Sequence, residues 1–257
     1  MLVIDTHIHV YPHYDTDRLL SAFRRNLHAG APQNSGTTAA LVLVEREGTD
    51  VFEAWRKGER LPPNVQPETL DESAMRLLFP DGDRVVVLAG CQVACRERIE
   101  VLGLGCRVRI ADGTAANDAV LQILAAGGIP VLAWGVGKWL FKRAGVVREL
   151  LAQFPPSKLL LGDTSLRPVF WPEPRPMRKE RLAGRRVLAG SDPLPPAGEE
   201  DMAGRYFTLL DTHCPVTGTV AECIRQALRD PSIPVQHAGH RNSLAEFLRR
   251  SRCTSSA

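Results

Sequence analysis

Ile4-Asp5-Thr6-His7-Ile8-His9-Val10 decides how the chain is read. An apolar run, Leu2-Val3-Ile4, leads into two histidines spaced two residues apart. In a strand, residues i and i+2 point to the same side, so His7 and His9 leave one face together near the strand's end. Two imidazoles on one edge, with Asp5 close by, make half of a metal site. The plainer alternative is a pair of surface or hydrogen-bonded histidines at a strand end.

The apolar runs that follow share one character. They cover Ala39–Val44, Arg84–Ala89, Ile99–Leu104, Ile129–Trp134, Lys158–Leu161 and Arg186–Ala189. They are continuous rather than alternating, which marks strands buried on both faces. Helical spacing over 17–28, 116–126 and 146–154 separates several of them, the βαβ rhythm of a parallel sheet. About seven such strands in 257 residues predict an α/β fold, a distorted (βα)7-type barrel of parallel strands in a single domain. Residues 53–83, with Pro62-Pro63, Pro67 and Pro80, read as an excursion holding a short helix from Thr69. Residues 200–257 read as a C-terminal helical extension packed on the barrel's outside. Its helices start at capping boxes, Thr219 to Glu222 and Ser243 to Glu246. Arg249-Arg250-Ser251-Arg252 reads as a solvated end.

Composition narrows the classes. Hydrophobic residues make up 44% and charged residues 24%, as in ordinary globular chains. A net charge of +3 gives no footprint for nucleic acid, so none is expected. The six cysteines show no paired zinc-knuckle spacing and read as mostly buried free thiols. No basic region precedes an apolar segment at the N-terminus, and Ile123–Trp134 is too short to span a bilayer. The expectation is a cytoplasmic protein with no membrane partner.

Barrel function gathers at the C-terminal strand ends. There the runs deliver His7 and His9, Glu45 and Arg46, Gln92, Glu100, Trp134 with Lys138 beyond, Asp163 with Arg167 beyond, and Asp192. Packing alone does not call for such a set, because unpaired buried charges cost several kcal/mol each on an order-of-magnitude scale. A metal or an anionic ligand accounts for it better. The plain alternatives are packing for Trp134, an exposed loop for Lys138 and a turn cap for Asp163. His13, His28, His213, His237 and His240 have no partner legible in the sequence, and the basic stretch 175–186 reads as a solvated face.

These motifs resemble the polymerase and histidinol phosphatase superfamily, metal-dependent phosphoesterases on a distorted seven-stranded β/α barrel. Asp5-Thr6-His7-Ile8-His9 resembles its opening His-x-His motif. Ala126-Gly127-Gly128-Ile129-Pro130-Val131-Leu132-Ala133-Trp134 resembles its Ala-Gly-Gly…Val-Leu-Ala-His-Pro strand. Gly90-Cys91-Gln92 with Glu100-Val101-Leu102-Gly103-Leu104 resembles its Gly-x-Glu and His-x-Leu-Gly-Leu pair. Leu188-Ala189-Gly190-Ser191-Asp192 resembles its closing Gly-Ser-Asp-x-His. The likeness covers roughly residues 1–195, with departures. Arg46, Gln92, Glu100, Trp134 and Leu194 stand at ligand positions, leaving His7, His9 and Asp192 by identity, with Glu100 still able to ligate.

The resemblance implies a hydrolase of a phosphoester or related substrate with one divalent metal, Zn, Mn or Fe, held by His7, His9, Glu100 and Asp192. Asp192 is also the candidate catalytic base. A small, anionic substrate is expected to meet Arg46, Lys138, Asp163 and Arg167. Alternatives are a non-catalytic barrel serving as a binding or scaffold protein, and an amidohydrolase-type enzyme.

Overall fold

The computed structural model describes residues 1–31, 36–212, 214 and 220–254, with side chains as far as 250. The proposed cap at Thr219, His213 and the Cys253 side chain lie outside the described residues.

The strands are β1 (Leu2–Ile8), β2 (Thr38–Glu45), β3 (Gln66–Asp71), β4 (Ala74–Leu78), β5 (Arg84–Ala94), β6 (Glu100–Leu104), β7 (Ile129–Ala133), β8 (Leu160–Thr164), β9 (Val187–Gly190), β10 (Tyr206–Leu210) and β11 (Val235–Gly239). The helices are α1 (Thr16–Gly30), α2 (Val51–Arg56), α3 (Ala116–Ala125), α4 (Lys142–Gln153), α5 (Arg175–Leu182), α6 (Val220–Arg229) and α7 (Leu244–Thr254). The described strands form one sheet in the order β11-β10-β1-β2-β5-β6-β7-β8-β9, with the β3–β4 hairpin paired to β5. It curls into a nearly closed, barrel-like layer. Leu2, Ile4, Ala40, Val42, Val86, Leu88, Leu102, Val131, Leu160 and Leu188 share one interior cluster.

The expectation of parallel strands throughout does not hold. β6 runs antiparallel to both β5 and β7, and β10 runs antiparallel to β1. Only residues 95–99 join β5 to β6, with Arg98 left-handed at φ 60°. A crossover needs a dozen or more residues, so so short a link allows only a hairpin. The helix expected from Thr69 is instead the β3–β4 hairpin. Arg76 of β4 pairs with Glu68 across the hairpin, and Met75 and Leu77 pack against the helices outside the sheet.

The C-terminal region differs in a similar way. It contributes β10 and β11 as well as helices. The face of α6 carrying Val220, Ile224 and Leu228 does not lie on the barrel's outside. It joins the interior cluster beside Leu2, Leu104 and Ile129, at the end opposite the histidines. The second capping box forms as expected: the Ser243 amide donates to Glu246 (2.8 Å) and the Glu246 amide to Ser243 Oγ (3.3 Å). Cys91, Cys95 and Cys106 are buried free thiols, but Cys214 and Cys223 form a disulfide, against the expectation of free thiols. No helix among the described residues is long and apolar enough to cross a membrane.

β9 closes the layer against β1 without a backbone ladder. Thr6 Oγ1 donates to the Ala189 carbonyl (3.1 Å), the Ala189 amide donates to Thr208 Oγ1 (2.7 Å), and the Asp192 amide to the His7 carbonyl (2.9 Å). The approach requires Gly190. A Cβ there would sit 2.4 Å from His7 Cβ and 2.7 Å from His7 N. Gly190→Ala is therefore expected to cost about 1–3 kcal/mol, the usual range for overpacking, read as a lower denaturant midpoint at unchanged slope.

Candidate metal centre

The placement of the histidines turns on a bulge. Leu2 and Ile4 face the barrel interior and Val3 faces the outer helices. Regular alternation would turn His7 and His9 outward with Val3. The register of β1 on β2 shifts between Asp5 and Ile8, and Ile8 joins the outer cluster. A bulge adds one residue and reverses the alternation beyond it. His7 and His9 therefore turn inward, each 6% exposed or less.

Asp5 holds this bulge and is no part of the cluster. Its carboxylate accepts the amides of His7 (3.1 Å), Ser191 (2.9 Å) and Gly204 (3.0 Å), and the Ser191 hydroxyl. Burial pushes its pKa up to about 6, against those hydrogen bonds, which lower it. One side chain thus ties β1 to the ends of β9 and β10.

Asp192 completes the cluster from the turn after β9, in the left-handed region at φ 53°, which Asp tolerates better than most residues. His7 Nε2 lies 3.1 Å from His9 Nε2. Asp192 Oδ1 lies 3.5 Å from His7 Nε2 and 3.7 Å from His9 Nε2. Four ligands at zinc-like bond lengths of about 2.1 Å stand about 3.4 Å apart at tetrahedral angles. The three separations bracket that value, and the residues are the group among the described ones that could hold a metal ion. Gln92 Oε1, 3.1 Å from His7 Nε2, adds a weak fourth donor.

The electrostatics favour a cation. Burial, then the neighbouring His7, pushes the pKa of His9 down to about 3, so the ring is neutral and its lone pair available. A hydrogen bond to the Val44 backbone orients it. Burial raises the Asp192 carboxyl, but the neighbouring His7 and His9, with Lys138 and Arg250, outweigh this and hold it below the usual carboxylate range.

The cluster opens into a cavity of ≈ 370 Å³ at the barrel mouth. Arg46, Glu100, Trp134, Lys138 and Arg250 line it. Glu100 is not in the three-residue group. Its carboxylate is paired with Lys138 Nζ, so Lys138 is a pocket residue rather than a free loop lysine. Arg46 hydrogen-bonds the Tyr11 hydroxyl, whose pKa burial pushes up to about 12. Asp163 and Arg167 do not line this cavity. They form a buried ion pair (Nε–Oδ1 2.8 Å), with Tyr206 Oη donating to Asp163 (3.1 Å), on a separate cavity outside the barrel.

Arg250 is the cavity residue that the sequence reading missed. It is 2% exposed, far from a solvated end. Nε donates to Glu199 (3.0 Å), Nη1 to Ser165 Oγ (3.1 Å) and Asn242 (3.0 Å), and Nη2 to the Asp192 carbonyl (3.1 Å). Only its position three residues before Cys253 in an amphipathic helix hinted at burial. Two histidines also gain partners. His13 Nε2 meets the Pro195 carbonyl at 2.6 Å, and His237 bridges Tyr206 Oη (3.0 Å) and the Val187 carbonyl (2.8 Å).

No protein-family model matches this chain, and no curated protein does. Among solved structures it is similar to PsfC from Pseudomonas syringae PB-5123, at 15% identity and TM-score 0.58 over 99% of this chain and 98% of that one. That likeness shows a shared fold. The lesion-specific endonuclease PfuEndoQ from Pyrococcus furiosus is similar at 14% identity and TM-score 0.49, over 88% of this chain and 55% of that one. The expectation that nucleic acid is not a partner is withdrawn. It rested on net charge, and net charge does not report local charge at a cavity.

Arg250→Met leaves Glu199 buried without its cation. It is expected to cost about 3–5 kcal/mol, the usual range for breaking a buried pair from one side, measured by chemical denaturation.

Proposed function

We propose that this protein is a metal-dependent hydrolase of the polymerase and histidinol phosphatase type, holding one divalent ion at the barrel mouth and acting on a phosphoester or related substrate. The observation that carries the reading is the spacing of His7 Nε2, His9 Nε2 and Asp192 Oδ1 at 3.1, 3.5 and 3.7 Å. The opening and closing motifs on β1 and β9 support it, since the fold sets them side by side. Two imidazoles and a carboxylate suit Zn, Fe or Mn. When bound, such an ion polarises a phosphoryl oxygen and lowers the pKa of a coordinated water.

The protein's own groups then divide the work. His7, His9 and Asp192 hold the ion, and Asp192, kept anionic, can also accept a proton. Arg46 offers a fork of donors to a phosphate or carboxylate. Lys138, steadied by Glu100, adds a point charge on the same cavity. Tyr11 keeps its proton at neutral pH and can donate to an anion. Glu100 serves Lys138 in this reading rather than the metal.

The positions where the family carries further ligands hold Arg46, Gln92, Trp134 and Leu194 here. A guanidinium repels a second cation, and a two-metal clamp needs ligand sets for ions about 3.5–4 Å apart. Chelator-stripped protein titrated with Zn, Mn or Fe is expected to bind about one equivalent, and His9→Ala to lose tight binding. Arg46→His is expected to recover part of a second equivalent. Phosphate mono- and diesters offered to the loaded protein should show slow, metal-dependent hydrolysis that Asp192→Asn abolishes. Two tight equivalents with brisk phosphatase turnover in the unaltered protein would overturn the one-ion reading. Failure to bind any of the three metals would overturn the whole.

A further inference from the structure

A second cavity, of ≈ 680 Å³, lies on the outer face of β8 and β9 beneath the segment 166–174 and α5. It shares no lining residue with the mouth cavity. Asp163 and Val187, on its wall, alternate with Gly162 and Leu188, and Leu188 belongs to the barrel interior.

The wall is rich in arginine, and most of the charge is matched. Arg167 pairs with Asp163 (2.8 Å), Arg181 with Glu173 (2.8 Å) and Arg185 with Glu180 (2.9 Å). Two guanidinium groups on the cavity have no carboxylate within ion-pair distance among the described residues: Arg186 and Arg241. Arg241 reaches only the Pro168 carbonyl, at 3.5 Å. Arg186 is 7% exposed, and its Nη1 donates to the Asp230 carbonyl. Its Nε and Nη2 are buried with no acceptor among the described residues. The Asp230 carboxylate is engaged by the amide (2.8 Å) and hydroxyl (2.7 Å) of Ser232 instead.

A buried donor without an acceptor is destabilising, and a charged one more so, which is why such groups in folded proteins usually mark a bound water or ion. Two unmatched guanidinium groups on one cavity favour an anion. The remaining wall is apolar and aromatic, including Phe170, Trp171, Met177 and Ile233. Pockets of this size with apolar walls and a few fixed charges are built for small organic molecules. We propose that this outer cavity binds a small organic anion, a phosphate or carboxylate carried on an apolar or aromatic body, with Arg186 and Arg241 receiving the anionic group.

The site is independent of the metal centre, and the test keeps the two apart. Phenyl phosphate and benzoate are titrated calorimetrically into the full chain at low salt, with inorganic phosphate as the bare anion. Expected is saturable one-to-one binding of at least one aromatic anion, tighter than inorganic phosphate; which of the two binds identifies the anionic group. Arg186→Met should weaken it by at least about tenfold, as for loss of a charge-assisted pair, and Arg241→Gln by several-fold. His9→Ala, which alters only the mouth, should leave the affinity within about twofold. Arg186→Met without ligand gives up the Nη1 bond to the Asp230 carbonyl but also two buried donors that had no acceptor, so its melting temperature should be little changed. Arg241 is partly exposed, so Arg241→Gln keeps the experiment readable if Arg186→Met does not fold. No saturable binding of either aromatic anion would mean that water satisfies Arg186 and would overturn the proposal. Binding lost in His9→Ala but kept in Arg186→Met or Arg241→Gln would place the anion at the mouth and overturn it equally.

Discussion

The seam between β1 and β9 is the constraint on which the rest depends. Gly190 lets the two strands meet with no side chain between them, and Asp5 fastens the junction through four donors from His7, Ser191 and Gly204. An ionisable group so buried is normally a liability. Here three of its four donors, from Ser191 and Gly204, come from segments that must be brought to β1, so its saturation depends on closure of the sheet. The His7 amide bonded to Asp5 lies in the bulge that aims the imidazoles, and Ser191 precedes Asp192. The His7–His9–Asp192 cluster is thus assembled by the contact that closes the barrel.

The C-terminal region works on both ends of that barrel. α6 supplies Val220, Ile224 and Leu228 to the interior at one end, and α7 brings Arg250 to the other. Arg250 binds the Asp192 carbonyl while neutralising Glu199, so the turn carrying the carboxylate is held from behind by a fully used guanidinium. Tyr14 and His13 hold the same turn through the carbonyls of Leu194 and Pro195. Asp192, in a left-handed backbone conformation, needs such support, because nothing in its local sequence imposes that conformation.

Charge is distributed unevenly over the two cavities. At the mouth, Glu100 is spent on Lys138, and Asp192 faces the two histidines. Outside the barrel, Asp163 is spent on Arg167, and Arg186 remains. In a sequence, Asp163 and Glu100 look alike, each a carboxylate at a strand end. Their partners separate them: a carboxylate already holding a guanidinium fork has little capacity left for a substrate.

The sequence by itself determined the buried strands, most of the helices and the pairing of His7 with His9, because continuous apolar runs and the two-residue period are local properties of the chain. The short link before β6 also carried its antiparallel direction, although the apolar run alone read as one more parallel strand. Which face the histidines take was not local. The bulge at Asp5–Ile8 reverses the alternation, and it exists because Asp5 finds donors nearly two hundred residues away. The same holds for Arg250, whose burial depends on Glu199, Ser165 and Asn242 arriving from three separate segments. Periodicity fixes what a residue can do within its own element. Only the tertiary structure decides which partners satisfy it, because the free energy of a buried polar group is set by the atoms that surround it and not by its neighbours in the chain.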